Sequence, residues 1–265
     1  MRVPAECRIG QRCGRGQAPP LRKKRRIPVV AKQVLRAAEP ATGRPTMALA
    51  ICVYSSSSDD IDGRYFAAAR ELGRLMGERG HTLVFGAGNI GLMNAMAHEV
   101  KARGGRIVGV IPRALKGRDL ARGDCDELIV TDGLRERKTI MEERSAAFIA
   151  LPGGFGTLEE LLETITLKQL GYHAKPVVIL DVDGYYDALL KQFERIFSEG
   201  FARQPAVSAS EPASARPPRQ ARGPSLSKAV EPKFRELFHV AGDPRAALDY
   251  IERHGPTPAD GGRRP

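Results

Sequence analysis

From Ala48 onward the chain alternates short apolar runs with longer stretches in which apolar residues recur every three or four positions. The short runs, at 48–54, 81–85, 106–111, 127–131, 146–151, 176–181 and 237–241, have the length of strands. The longer stretches, near 62–79, 91–103, 135–145, 157–170, 185–199 and 243–253, have the helical period. Gly80, Gly104, Gly171, Gly200 and Gly255 stand where these helices should stop, a position that favours a residue free to turn left-handed. Regular alternation of the two elements predicts parallel strands joined by right-handed crossovers. The runs Ile107 to Ile111 and Val177 to Leu180 are apolar throughout rather than at every second position, so helices should cover both faces of the sheet. The expected fold is α/β: a Rossmann-like, doubly wound parallel sheet of about seven strands.

Three segments fall outside this pattern. Residues 1–46 are rich in Pro, Gly and basic residues and show no period. Residues 203–230 are dominated by Pro, Ala, Ser and Arg, and residues 255–265 have no apolar face. Such composition buries too little surface to order itself, so all three are expected to be disordered around a single domain of residues 47–202 and 231–254. The basic arm at 1–46 has three readings, a disordered nucleic-acid or partner tail, an Arg-rich targeting peptide, or sequence upstream of a start at Met47; the last is favoured because Met47 directly precedes the first strand and the arm is neither Ser-rich nor amphipathic.

The arm also changes the meaning of the net charge. The 265-residue chain carries a formal +11, but twelve Lys or Arg against Glu6 and Glu39 give residues 1–46 a charge of +10, leaving +1 for the remainder. Residues 47–265 therefore lack the basic footprint of a nucleic-acid-binding domain. No apolar run reaches membrane-spanning length, and no secretory core follows the basic start. Cys7 and Cys13 lie in the arm, while Cys52 and Cys125 make no metal or redox spacing; reduced thiols in a cytoplasmic protein are expected.

In an open parallel sheet, ligands bind beyond the carboxyl ends of the strands. Four loops there carry chemistry: Ser55 to Asp60, Gly86 to Gly91, Arg135 to Lys138 and Pro152 to Glu160. In the last, LPGGFGTLEELLETI (151–165), a strand end meets a glycine turn and then a helix with apolar residues at Leu158, Leu161, Leu162 and Ile165. The unpaired N–H groups of its first turn make a phosphate cradle. Thr157 to Glu160 also fits a capping box, so on pattern Glu160 serves equally as a capping residue or as a catalytic carboxylate. The sequence Gly86-Ala87-Gly88-Asn89-Ile90-Gly91 is a G-x-G-x-x-G, but it follows the second strand, and the third ends in Pro112-Arg113 rather than at an acidic residue. Arg113 keeps an NADP-binding alternative open; otherwise these glycines only let a helix pack closely. Arg137 and Lys138 belong either to a solvated helix face or to a face turned toward an anionic ligand.

Arg137-Lys138, followed after a strand by Pro152-Gly153-Gly154-Phe155-Gly156-Thr157-Leu158-Glu159-Glu160, resembles the signature of the LONELY GUY family of cytokinin-activating phosphoribohydrolases, often mislabelled lysine decarboxylases. The similarity runs over about 48–201, including Gly86 to Asn94 and Gln169 to Pro176, and resumes at 234–252. The resemblance implies hydrolysis of the N-glycosidic bond of a nucleoside 5′-monophosphate, AMP or its N6-prenylated form, by a homodimer that needs no metal or organic cofactor. It makes Arg137 and Glu160 the catalytic pair. Lys138, Gly153, Gly154, Gly156, Thr157, Thr166, Gly88, Met93 and Asn94 become nucleotide contacts, with Asp119 where the family usually has a glutamate. The chain departs from the family at Ser55-Ser56-Ser57-Ser58, usually Cys-Gly-Ser-Ser, and at Ala87, usually glycine. The alternative from another class is a nucleotide-binding or carrier protein that holds its ligand intact.

Overall fold

The structure is a computed structural model that describes residues 47–116, 121–202 and 236–256. Strands β1 (Ala50–Tyr54), β2 (Thr82–Phe85), β3 (Ile107–Pro112), β4 (Glu127–Thr131), β5 (Ala147–Ala150), β6 (Val177–Leu180) and β7 (His239–Ala241) form one parallel sheet. Their order is β4-β3-β2-β1-β5-β6-β7. Helices α1 (Gly63–Glu78), α2 (Gly91–Ala102), α3 (Arg113–Lys116), α4 (Leu134–Glu143), α5 (Phe155–Gln169), α6 (Asp187–Ser198) and α7 (Pro244–His254) connect and flank it.

The apolar strands bury both faces because successive side chains alternate across the sheet. Ile51, Val53, Ala147, Ile149, Val178 and Leu180 pack with Leu72 of α1, Met96 of α2 and Leu248 of α7. Their neighbours Cys52, Tyr54, Phe148, Ala150, Val177 and Ile179 pack with Met141 of α4, Leu161 of α5 and Phe193 of α6. Removing these two layers from water is the main stabilising term. On the first face α1 and α2 touch backbone to side-chain-free backbone: a Cβ at Gly73 would lie 2.3 Å from the Met96 carbonyl oxygen.

Strands β1 to β4 are laid down in one direction, and the chain then returns through α4 to place β5 on the other side of β1. This reversal opens a crevice beyond the carboxyl ends of β1 and β5, the place where a doubly wound sheet receives ligands.

All seven expected strands and six expected helices are present, with ends shifted by a few residues. The single turn α3 was not anticipated. Gly80, Gly104, Gly171 and Gly200 take positive φ values, whereas Gly255 closes α7 at φ −69 in extended backbone. The larger correction concerns α5. It begins at Phe155 with Gly154 as its cap residue and no capping side chain, two residues before the expected start at Thr157. Thr157 is therefore inside the first turn and cannot cap it, which removes the capping-box reading of Glu160. Residues 1–46 and 203–230, Asp119, and the tail from residue 257 lie outside the described residues.

Candidate active site

A cleft of about 500 Å³ occupies the crevice, within the range of small-ligand sites. Its walls come from the ends of two strands and the start of one helix: Tyr54 to Ser58 at the end of β1, Gly86 after β2, and Gly154 to Thr157 at α5. Arg137, Met141 and Glu160 also line it, and Met93 and Leu115 contribute apolar surface.

The glycine loop divides by function. A Cβ at Gly153 would fall 2.1 Å from Thr157 Oγ1, so glycine there lets the threonine fold back over the loop. A Cβ at Gly154 or Gly156 would meet nothing within 4 Å, so packing does not require glycine at either. Their bare backbone instead leaves the first turn of α5 open to an approaching group. The loop is held from behind: Tyr185 Oη donates to the Gly153 carbonyl and Tyr186 Oη to that of Leu151, each at 2.6 Å.

Glu160 and Arg137 meet in the cleft. Arg137 Nη1 lies 2.6 Å from Glu160 Oε1, and the two side chains are only 13% and 11% exposed. Arg137 Nε donates to the Val110 carbonyl of β3 at 3.0 Å, which fixes the guanidinium from the far side. A Cβ at Gly86 would stand 2.1 Å from Arg137 Nη2, so glycine at the end of β2 is what admits the arginine. The Glu160 backbone is anchored too: Thr164 Oγ1 donates to its carbonyl at 2.9 Å, and Tyr54 Oη pairs with Thr164 Oγ1 at 3.0 Å. Burial pushes the Glu160 carboxyl above the ordinary range, against the opposing pull of the Arg137 charge.

The other titratable groups nearby are held inert. Burial raises the Cys52 thiol far above neutrality, and raises Cys125 to about 11, so neither is a ready thiolate. His173 is pushed down to about 4 by burial. Its neutral ring places Nε2 3.1 Å from the Thr164 carbonyl while Nδ1 accepts from Lys175 N. Among the described residues, no group of three His, Cys, Asp or Glu converges as a metal ion would require.

Sequence comparison bears on what such a site is for. The profile of a family described as possible lysine decarboxylases matches residues 93–216. The cytokinin riboside 5′-monophosphate phosphoribohydrolase LOG of Oryza sativa subsp. japonica is 47% identical over 156 residues, 59% of this chain and 64% of that protein. The enzyme LOG2 of Arabidopsis thaliana, of the same description, is 43% identical over 163 residues, 60% of this chain and 76% of that protein. The chain belongs to the LONELY GUY (LOG) family. It spans somewhat under two thirds of the length of the rice relative. The same fold recurs in the molybdenum cofactor carrier protein of Chlamydomonas reinhardtii, 23% identical with a TM-score of 0.52 over 78% of this chain and 98% of that one. It recurs again in the molybdenum cofactor binding protein of Rippkaea orientalis, 21% identical with a TM-score of 0.52 over 78% and 97%.

Of the contacts that the LOG resemblance implied, Arg137, Glu160, Gly154, Gly156, Thr157 and Met93 line the cleft, and Gly153 shapes its loop. Others sit elsewhere. Lys138, one residue from Arg137 on α4, pairs with Glu159 and lies 2.6 Å from Glu163 Oε2, so two carboxylates of α5 already neutralise it. Burial opposes its charge, but those two partners outweigh burial and raise its pKa. Thr166 is exposed and returns its hydroxyl to the Leu162 carbonyl at 2.7 Å. Gly88 makes room for Met93, whose Cε would lie 2.6 Å from a Cβ there, and the Asn94 amide oxygen accepts from Arg122 at 2.6 Å. Gly86 and Ser55 reach the site without having been singled out as ligands.

The G-x-G-x-x-G loop also has a settled role. Gly91 N donates to Asp59 Oδ1 at 2.8 Å and Leu92 N to the Ser56 carbonyl at 3.0 Å, so the start of α2 is closed by the protein itself. A dinucleotide pyrophosphate would need those donors. Arg113 is 76% exposed and faces Asp132 at 3.6 Å, which leaves the NADP reading without support.

Proposed function

We propose that this LOG-family chain hydrolyses the N-glycosidic bond of a nucleoside 5′-monophosphate, AMP or its N6-prenylated form, giving free base and ribose 5-phosphate. The observation that carries this is the buried Arg137–Glu160 pair in a cleft that also contains the uncapped start of α5. The phosphate docks on the N–H groups of that first turn, where the helix dipole favours an anion. Docking there sets the sugar against Glu160, and this positioning is itself a large share of the rate. As the bond to the base lengthens, positive charge grows on the ribose ring, and a carboxylate beside it stabilises that charge. Glu160 then orients and deprotonates water, whose oxygen bonds to the anomeric carbon while the base leaves with the bonding pair and takes up a proton. Arg137 keeps the carboxylate in place and ionised. Both LOG relatives bear the corresponding activity in their names, which supports the reading.

Chromatography of purified protein incubated with AMP and with isopentenyl-AMP, side by side, is expected to show free base from at least one of them. A carrier would bind nucleotide and return it intact, and that result would overturn the reading.

The active form is a homodimer. Phe155 is 93% exposed beside the cleft, and Leu162, Leu170 and Tyr172 are exposed on a strip along α5 and beyond its end that the exposed Glu159, Glu163 and Thr166 interrupt. A strip of this kind costs solubility unless it is covered. A second copy covers it, so Leu162→Glu is expected to convert a dimer to a monomer in sedimentation analysis. A monomeric wild type at micromolar concentration would refute the dimer. Among the described residues no helix is long and apolar enough to cross a membrane.

A further inference from the structure

Tyr185 is not part of the cleft lining, yet its hydroxyl is tied to the loop that forms one wall, donating to the Gly153 carbonyl at 2.6 Å. The chain takes an uncommon path to bring it there. Tyr185 N donates to the Val182 carbonyl at 3.2 Å, closing a tight turn whose two central residues, Asp183 at φ +52 and Gly184 at φ +75, are both left-handed. A residue with a side chain holds that conformation only where its surroundings enforce it. Here Asp181 Oδ1 accepts from Tyr186 N at 2.8 Å, and the Tyr185 ring packs edge-on against Tyr65 and Tyr186. The hydroxyl therefore reaches Gly153 from a fixed support.

What the bond controls is the peptide unit between Gly153 and Gly154. A peptide unit is planar, and its C=O and N–H point in opposite directions. Holding the Gly153 carbonyl toward Tyr185 turns the Gly154 N–H away from Tyr185. Gly154 lines the cleft whereas Gly153 and Tyr185 do not, so that N–H faces the side from which a ligand arrives. With glycine on both sides the unit rotates at little cost, and a reversed unit would show an anion the Gly153 oxygen in place of a donor. We propose that Tyr185 is a positioning residue, which holds this peptide unit so that the Gly154 N–H is presented to the nucleotide phosphate. This rests on the nucleotide reading of the cleft. Tyr186 supplies an internal control: its Oη donates to the Leu151 carbonyl at the same 2.6 Å, but the residue that follows is Pro152, which has no N–H to aim.

The test is base release from AMP by wild type, Tyr185→Phe and Tyr186→Phe, with ribose 5-phosphate and adenosine as competing ligands. Tyr185→Phe should raise KM for AMP and the inhibition constant of ribose 5-phosphate roughly fivefold, the loss of one modest hydrogen bond. Its kcat should stay within about twofold of wild type, because the remaining N–H groups of α5 still seat the phosphate once it is bound. Adenosine, which has no phosphate, should compete equally well against both proteins. Tyr186→Phe should leave these constants unchanged while lowering the urea midpoint, since its hydroxyl is buried. An unchanged ribose 5-phosphate constant in Tyr185→Phe, an equal loss for adenosine, or an equal effect of Tyr186→Phe would overturn the proposal. If Tyr185→Phe does not fold, Tyr185→Leu makes the same comparison. If wild type binds AMP but releases no base, the hydrolytic reading fails on its own, and calorimetric binding of ribose 5-phosphate and adenosine to the three proteins decides the role of Tyr185. Wild type that binds neither AMP nor ribose 5-phosphate would overturn both.

Discussion

Glu160→Gln is expected to lower base release by roughly a thousandfold while nucleotide affinity changes by no more than a few fold. Glutamine keeps the size of the side chain and the hydrogen bond from Arg137, so the cleft retains its shape. It cannot carry negative charge toward the ribose or take a proton from water. A variant that binds AMP in calorimetry yet releases almost no base is the expected result, and full activity would eliminate Glu160 as the catalytic carboxylate. The pH profile supplies a second readout. Burial raises the Glu160 carboxyl, so its active, ionised form is lost at a higher pH than that of an ordinary glutamate as the solution is acidified. The acid limb of wild-type activity should therefore lie above pH 4.5, the unperturbed value for glutamate. Glu160→Gln should lose that limb.

Gly91→Ala should cost the fold about 3 kcal/mol, from a left-handed backbone penalty and a forced overlap together. Gly91 has φ +64, and a Cβ there would stand 2.6 Å from Ser57 C, 2.7 Å from Ser56 O and 2.8 Å from Ser57 Cα. All three are backbone atoms, in a segment tied to the same turn by Asp59 and by the Ser56 carbonyl. Neither side can yield without breaking those bonds. Urea denaturation should show a midpoint well below wild type, and a change under 1 kcal/mol would mean that the loop is softer than its contacts indicate. Because that segment lines the cleft, the variant should also bind nucleotide more weakly than its remaining folded fraction explains.

The fold was legible because its signals are local. Val177 to Leu180 is apolar at every position, and that alone demands cover on both faces, which the two core layers supply. The start of α5 was misplaced because Gly154 caps it without a side chain, so the first residue with a capping pattern, Thr157, drew the boundary inward. What sequence does not display is contact between distant segments. Gly86 looks like one more glycine in a fingerprint until Arg137, 51 positions later, is found against it. Asp59 looks like part of a polar loop, yet it closes a helix 32 residues on. Arg137 and Lys138 read as one basic pair, but on a helix adjacent residues point about 100° apart. One reaches Glu160 in the cleft and the other is neutralised by Glu159 and Glu163.

Two glycine-led helix starts, those of α2 and α5, flank the strand-end crevice, and Asp59 stoppers one of them. The crevice consequently has a polarity. An anionic group would find unspent backbone donors at the start of α5, while those at the start of α2 are taken by Asp59 and the Ser56 carbonyl. Asp59, from a task as plain as finishing a helix, leaves α5 as the helix start beside this crevice with donors to offer.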